Sequence, residues 1–261
     1  MTNGRALVTG ASDRLGRAMA LKLADMGFDV AVHYASSSEA AAETVALIEA
    51  KGRKAVALQA DLLDMDAAEA LVPAAAKALG QPLTVLINNA SIFEYDTLHS
   101  ATREGWYRHM GSNFQAPFLL TQAFAKQAPQ VGEDQNGERI AQAVIINMID
   151  QRVEKLTPEF MTYTLAKMGL WALTQTSAQA LAPAIRVNAI GPGPTLQGAR
   201  QSDDHFARQR AATILERGSN TDDITSAVEY IVRSPALTGQ LLCIDGGQHL
   251  GWRTPDVLGV E

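Results

Sequence analysis

Short apolar runs alternate along the chain with longer segments in which apolar residues recur every three or four positions. Seven runs are apolar without strict alternation: Ala6–Val8, Asp29–Val32, Ala55–Leu58, Val85–Ile87, Val144–Ile146, Ile185–Val187 and Leu241–Ile244. A strand with one wetted face alternates, whereas a strand covered on both faces does not, so these runs predict a buried parallel sheet. Between them, Arg17–Met26, Glu39–Lys51 and Ala67–Leu79, and later Phe160–Leu181, carry the periodicity of helices with one apolar stripe. Strand, helix and strand repeated in this way require right-handed crossovers and a doubly wound sheet. The expected fold is therefore α/β, one domain spanning residues 1–261.

Two segments interrupt the rhythm. Val131–Arg139 is polar with two glycines and predicts a surface loop before the fifth strand. Gly191–Asn220 follows the sixth strand at its carboxyl end, the edge where open α/β sheets bind ligands, and is a candidate substrate lid.

Composition narrows the field. With 47% apolar and 19% charged residues, the 261-residue chain can fill a sizeable core. The net charge is −6 and no basic run could track a phosphate backbone, so nucleic acid is not an expected partner. Cys243 is alone and sits in an apolar run, which predicts a buried small hydrophobe and no disulfide. The five histidines form no metal-ligand spacing. No apolar stretch approaches a membrane span, and a strand-like run begins too early for a signal peptide, so a cytoplasmic location is expected.

The first strand runs into Thr9-Gly10-Ala11-Ser12-Asp13-Arg14-Leu15-Gly16 and then a helix. A tight turn at Gly10 and close helix packing at Gly16 leave backbone N–H groups at the helix start, a site suited to a pyrophosphate. A strand–glycine turn–helix in this order predicts a Rossmann-type dinucleotide domain. The second strand ends His33-Tyr34-Ala35-Ser36-Ser37-Ser38, with no acid before Glu39. Enzymes that use the unphosphorylated dinucleotide place a carboxylate here on the ribose. Ser36 and Ser37, with Arg14 across from them, suit a 2′-phosphate instead, although serines here also cap a helix. Gly10, Arg14, Leu15, Gly16, His33, Tyr34, Ser36 and Ser37 are the candidate cofactor residues at this end, and NADP(H) is the expected cofactor.

Tyr163 and Lys167 stand four apart in a helical segment and so share one face. An ammonium beside a phenol lowers the phenol pKa and makes a usable acid–base pair.

These features together resemble the short-chain dehydrogenase/reductase family along nearly the whole chain. The residues that carry the likeness are the Thr9–Gly16 turn, Asp61, Asn88-Asn89-Ala90, Asn113, Tyr163 with Lys167, Pro192-Gly193 and Asp245-Gly246-Gly247. The resemblance implies proton donation by Tyr163, ribose binding by Lys167 and a relay water held by Asn113. It also implies that Asp61 and the adjoining Leu62 meet the adenine, and that Asn88, Ala90, Ser91, Pro192 and Gly193 line the cofactor. A homotetramer built through the long helices is implied as well, and the tail Gly251–Glu261 could then reach a neighbouring pocket.

The departures from the family pattern are informative. Arg14 replaces a usual glycine, Ser91 replaces the glycine after Asn-Asn-Ala, and Asp150 replaces a serine thirteen residues before the tyrosine. With Phe93, this set is similar to the pteridine reductase and dihydromonapterin reductase branch. It implies a flat pterin stacked on Phe93 and bounded by Arg14, Ser91, Asp150 and Tyr163. Asp150 also makes physical sense alone: reducing a C=N bond needs a proton on nitrogen, which a carboxylic acid beside a phenol can relay. Phe93 as an ordinary core aromatic and Asp150 as a turn residue remain open, and Met148, Leu196 and Trp252 either border the pocket or simply pack. A carbonyl reductase of the same family and a non-catalytic NADP(H) sensor are the competing functions.

Overall fold

The structure is a computed structural model that describes residues 4–198, 201–254 and 257. Seven parallel strands form the sheet: β1 Arg5–Val8, β2 Asp29–Tyr34, β3 Ala55–Gln59, β4 Val85–Asn88, β7 Ala143–Met148, β8 Ile185–Pro192 and β9 Leu241–Ile244. Their order is β3-β2-β1-β4-β7-β8-β9, so the chain reverses its direction of travel between β1 and β4. That reversal opens a crevice at the carboxyl ends of the strands.

Successive side chains of a strand point to opposite faces, and both faces here are dry. Ala6, Val8, Val85, Ile87, Val144 and Ile146 pack with residues of α1 (Arg14–Asp25), α2 (Ser38–Glu49) and α8 (Thr221–Arg233). Leu7, Leu86, Ala143 and Ile145 enter the opposite core with α3 (Met65–Leu79), α5 (Ala116–Gln127) and α6 (Met161–Ala180). Double burial is why the inner strands read as unbroken apolar runs. The edge strands β3 and β9 are partly exposed along their length. Each fully buried Leu or Ile contributes about 1.5–3 kcal/mol, which fixes strand register and helix placement.

Polar groups tie the centre of the sheet. Asn88 Nδ2 donates to Asn147 Oδ1 at 2.8 Å, and Asn147 Nδ2 donates to Thr174 Oγ1 at 2.9 Å, linking β4, β7 and α6. Cys243 lies partly buried on β9; burial pushes its thiol up to about 12, so it behaves as a small apolar group.

Several elements differ from the expected ones. Val131–Arg139 is not a featureless loop: β5 (Gly132–Glu133) pairs antiparallel with β6 (Arg139–Ile140). Asp134 closes this small hairpin by accepting the amides of Asn136 and Glu138 at 2.8 and 2.9 Å. The first helix begins three residues earlier than expected, at Arg14, and its first turn, Arg14, Leu15 and Gly16, lines the crevice. Helices α4 (Arg103–Met110) and α5 are joined by one turn of π-helix, Gly111–Gln115, which carries Asn113. Within Gly191–Asn220, α7 (Asp203–Ala211) buries no side chain, and Ala199 and Arg200 lie outside the described residues. Most of the expected tail reach, residues 255, 256 and 258–261, also lies outside them. Among the described residues no helix is long and apolar enough to cross a membrane.

Candidate active site

Two adjoining cavities fill the crevice. The larger, of about 450 Å³, is lined at one end by Gly10, Ser12, Asp13, Arg14, Leu15 and Gly16 of the turn. Tyr34, Ala35, Ser36 and Ser37 from the end of β2 form a second wall, and Asn89, Ala90, Ser91, Pro192 and Gly193 the floor. The smaller cavity, about 290 Å³, shares Arg14, Leu15, Asn89, Ser91, Pro192 and Gly193 and adds Phe93, Met148, Ile149, Asp150, Tyr163 and Lys167.

The glycine turn is sterically obligatory. Gly10 has φ +60°, and a Cβ there would lie 3.1 Å from Ala90 Cα; one on Gly16 would lie 1.9 Å from the Gly10 carbonyl oxygen. Asn89, which the sequence reading passed over for Asn88, braces this turn: its Nδ2 donates to the carbonyls of Thr9 and Gly10 at 2.8 and 3.1 Å. Asn88 itself is buried among β-strands and lines neither cavity. Its amide is spent on Asn147, a sheet role that a motif alone cannot separate from cofactor contact.

Three further cofactor candidates are placed elsewhere than expected. His33 is 1% exposed, behind the turn, and its Nδ1 accepts the Gly10 amide at 3.0 Å. Leu62 is buried in the core with Leu7, because apolar burial claims it. Asp61 is exposed past the end of β3, and its Oδ1 accepts the Leu63 amide at 2.9 Å. Neither Asp61 nor Leu62 lines the crevice.

Arg14 projects from the turn with φ 50°, left-handed backbone that a side chain adopts at a cost of about 1–2 kcal/mol. Its Nη2 donates to the Gln197 carbonyl at 3.0 Å and lies 3.5 Å from that of Leu196. The guanidinium thus spans the cleft to the segment after β8. That segment is anchored by Arg210, which donates to the carbonyls of Pro194, Gly218 and Ser219 and to Asn220 Oδ1. Trp252 is exposed and lines neither cavity, whereas Met148 and Leu196 do.

At the chemical end, Asp150 caps the turn Gln151–Val153, its Oδ1 accepting the Arg152 amide at 2.9 Å. Its Oδ2 accepts the Tyr163 hydroxyl at 3.0 Å. Burial raises the Asp150 carboxyl above the ordinary range, against the Arg152 amide and charge, which lower it. Burial and then the neighbouring Asp150 carboxylate hold the Tyr163 phenol well above its usual value. Lys167 is 2% exposed; its Nζ donates to the Met148 carbonyl at 2.8 Å and lies 5.6 Å from the Tyr163 ring centroid. Burial pulls its ammonium down to about 8. In this arrangement the lysine is turned to a backbone carbonyl while the phenol faces a carboxylate.

Asn113 holds the loop that follows β4. Its side chain is fully buried and clasps one residue, with Nδ2 donating to the Ile92 carbonyl and Oδ1 accepting the Ile92 amide, both at 2.8 Å. Both ends of the amide are thus committed to holding the Ser91–Phe93 loop.

Phe93 is 47% exposed, so it is not a core aromatic. It stacks on Phe160 with centroids 4.4 Å apart and planes 6° apart, and meets the Tyr163 ring edge-on at 4.7 Å. The Arg152 guanidinium lies 4.7 Å over the Phe160 ring. Phe160, expected as the first residue of a helix, instead precedes it with φ 55°, a second left-handed non-glycine residue beside the cleft. Among the described residues no three His, Cys, Asp or Glu side chains are placed to hold a metal.

A glycine turn, a parallel sheet with one switch point and a Tyr163/Lys167 helix define a dinucleotide-dependent oxidoreductase architecture. The short chain dehydrogenase family model matches residues 5–207, and the chain belongs to that family. It is 32% identical over 250 residues to the 3-oxoacyl-(acyl-carrier-protein) reductase FabG of Staphylococcus aureus, covering 94% of this chain and 98% of that protein. Among solved structures it is similar to FolM alternative dihydrofolate reductase 1 of Brucella suis in complex with NADP (TM-score 0.90, 39% identity, 98% of both chains). It is also similar to a short chain dehydrogenase of Burkholderia cenocepacia in complex with NADP (TM-score 0.85, 32% identity, 95% of this chain and 98% of that one).

Proposed function

We propose that the protein is an NADPH-dependent reductase of pteridines, acting on the C=N bond of a dihydropterin or dihydrofolate. The observation that carries this reading is the Tyr163 hydroxyl donating to Asp150 at 3.0 Å beside a half-exposed Phe93.

The crevice fits the dinucleotide by its own chemistry. The cradle at Gly10 and Gly16 leaves no room for a Cβ, and amides of the α1 start line the larger cavity. The wall from β2 contributes Tyr34, Ala35, Ser36 and Ser37 and no carboxylate, which suits a 2′-phosphate better than a ribose diol. Arg14 stands over the same cavity as a cation for that phosphate, and the segment from Gly191 to Asn220 serves as its lid. Bound there, NADPH supplies the two electrons and one of the two protons that a C=N reduction consumes.

The second proton belongs to the chain. Burial and Asp150 keep the Tyr163 phenol protonated at neutral pH, the form that donates to an imine nitrogen. Asp150, its own carboxyl raised by burial and hydrogen-bonded to the phenol, is the group placed to return a proton to it. Lys167 holds its charge beneath both and orients through Met148. Phe93 lines the smaller cavity together with Ser91, where a flat heterocycle meets an aromatic wall. Asn113 fixes the loop that carries both.

The FolM likeness agrees with a dihydrofolate-type substrate, while the FabG relative supports a second reading, reduction of a ketone or ketoacyl thioester. Incubation with NADPH and dihydrobiopterin, dihydromonapterin, dihydrofolate or a panel of ketones separates them. Turnover of a pterin is expected. NADPH consumption with ketones only selects the second reading, and tight NADPH binding without any turnover makes the protein a sensor.

A further inference from the structure

We infer that His33 is a positioning residue for the dinucleotide turn, acting only as the neutral imidazole that carries its proton on Nε2. The ring is 1% exposed and bridges two backbone groups of different elements. Nδ1 lies 3.0 Å from the Gly10 amide, which is a donor, so Nδ1 must be the acceptor. Nε2 lies 3.1 Å from the Ala60 carbonyl, which is an acceptor, so Nε2 must carry the hydrogen. One tautomer of one protonation state satisfies both contacts. The His33 carbonyl also receives the Ala11 amide at 2.8 Å, so residue 33 holds the peptides on both sides of Gly10.

This matters because Gly10 has no side chain with which to fix its own left-handed conformation. The turn is held from outside, by Asn89 on its carbonyl and by His33 on its amide. Protonating the imidazole would set an N–H on Nδ1 against the N–H of Gly10, two buried donors facing each other. Burial lowers the His33 pKa and the Ala60 carbonyl raises it; among the described residues no charged side chain contributes. Asp13 and Arg14 in the turn are exposed, Tyr34 turns into the cavity, and Asp61 beyond β3 is engaged with Leu63. The neutral form is therefore the resting form near pH 7, and dinucleotide affinity falls as acid converts it.

The inference rests on the proposed NADP(H) site, and NADP+ binding by calorimetry, with no substrate, tests the two apart. His33→Asn keeps an acceptor at the place of Nδ1 and cannot titrate; His33→Leu keeps neither. At pH 8, wild type and His33→Asn are expected to bind within a few fold of each other, and His33→Leu about tenfold more weakly, the size of one lost buried hydrogen bond. Between pH 8 and 5.5 the wild-type affinity falls further than that of His33→Asn, by less than about tenfold because burial holds the His33 pKa below the ordinary 6.5. The ligand's own phosphate titrates in this range, but equally for both proteins. Equal pH dependence in the two overturns the inference. Should His33→Leu fail to fold, the imidazole 15N spectrum of wild type at pH 7 decides: a neutral ring with hydrogen on Nε2 is expected, and a protonated or Nδ1–H ring refutes it. A wild type that binds no NADP+ at pH 8 removes the cofactor reading and this inference with it.

Discussion

Replacing Asp150 by serine, the residue usual in this family, isolates the group on which the pterin reading depends. The carboxylate accepts the Tyr163 hydroxyl at 3.0 Å and the Arg152 amide at 2.9 Å. A hydrogen bond to a charged group contributes about 1.5–3 kcal/mol. If that interaction serves the transition state, its loss lowers kcat/KM for a dihydropterin roughly 10- to 150-fold. Serine still presents a hydroxyl, so reduction of a ketone, which needs a neutral donor beside the developing alkoxide, should hold steady or rise. The pH profile carries a second signature. Asp150 is the largest influence after burial that keeps the phenol protonated, so Asp150→Ser moves the alkaline limb to lower pH. The assay is initial-rate NADPH oxidation with both substrates from pH 5 to 10, beside a tyrosinate absorbance titration of each protein carried above pH 10, where the wild-type phenol ionises. Superimposable profiles and an unchanged pterin rate would refute the argument.

Further expectations follow from the same contacts. Gly16→Ala puts a methyl 1.9 Å from the Gly10 carbonyl oxygen and should cost about 1–3 kcal/mol while abolishing NADP+ binding, read by melting and calorimetry. Phe160→Gly relieves the left-handed backbone (~1–2 kcal/mol) but forfeits the stack on Phe93, the Tyr95 and Arg152 contacts and the partly buried ring area, so the net change is a loss of stability. Its KM for a pterin should also rise several-fold, with that for an aliphatic ketone unaltered. His33 and His109 both have pKa values lowered by burial, so the unfolded chain binds more protons than the folded one below the ordinary histidine range. Stability is therefore whole above about pH 6.5 and declines as pH falls through the folded values, a loss that urea titrations at pH 7.5 and 5.5 should register.

The sheet was legible because double burial writes itself into sequence: each of the seven apolar runs lies within one of the seven strands. The glycine turn and the Tyr163–Lys167 pair were legible because their spacing is local. Asp150 beside Tyr163 apart, what escaped were contacts between elements distant in sequence. Nothing near Asn113 announces that its amide will clasp Ile92, nor near His33 that its ring faces inward to Gly10. Phe160 looks like the first residue of an amphipathic helix, yet its left-handed backbone sets it under Phe93. The orientation of Lys167 escaped for the same reason. Helical spacing brings it alongside Tyr163, but only the Met148 carbonyl on a neighbouring strand decides which way the ammonium turns.

Arg14 joins residues 183 positions apart, from the first turn of the chain to the carbonyl of Gln197. A glycine at this position would suit the peptide backbone better and would leave the two walls of the crevice unconnected. Selection for a sturdier fold and selection for a competent cleft therefore pull residue 14 in opposite directions. Screens for heat-resistant variants should recover glycine or asparagine there, and those survivors should be the ones whose cleft has come undone.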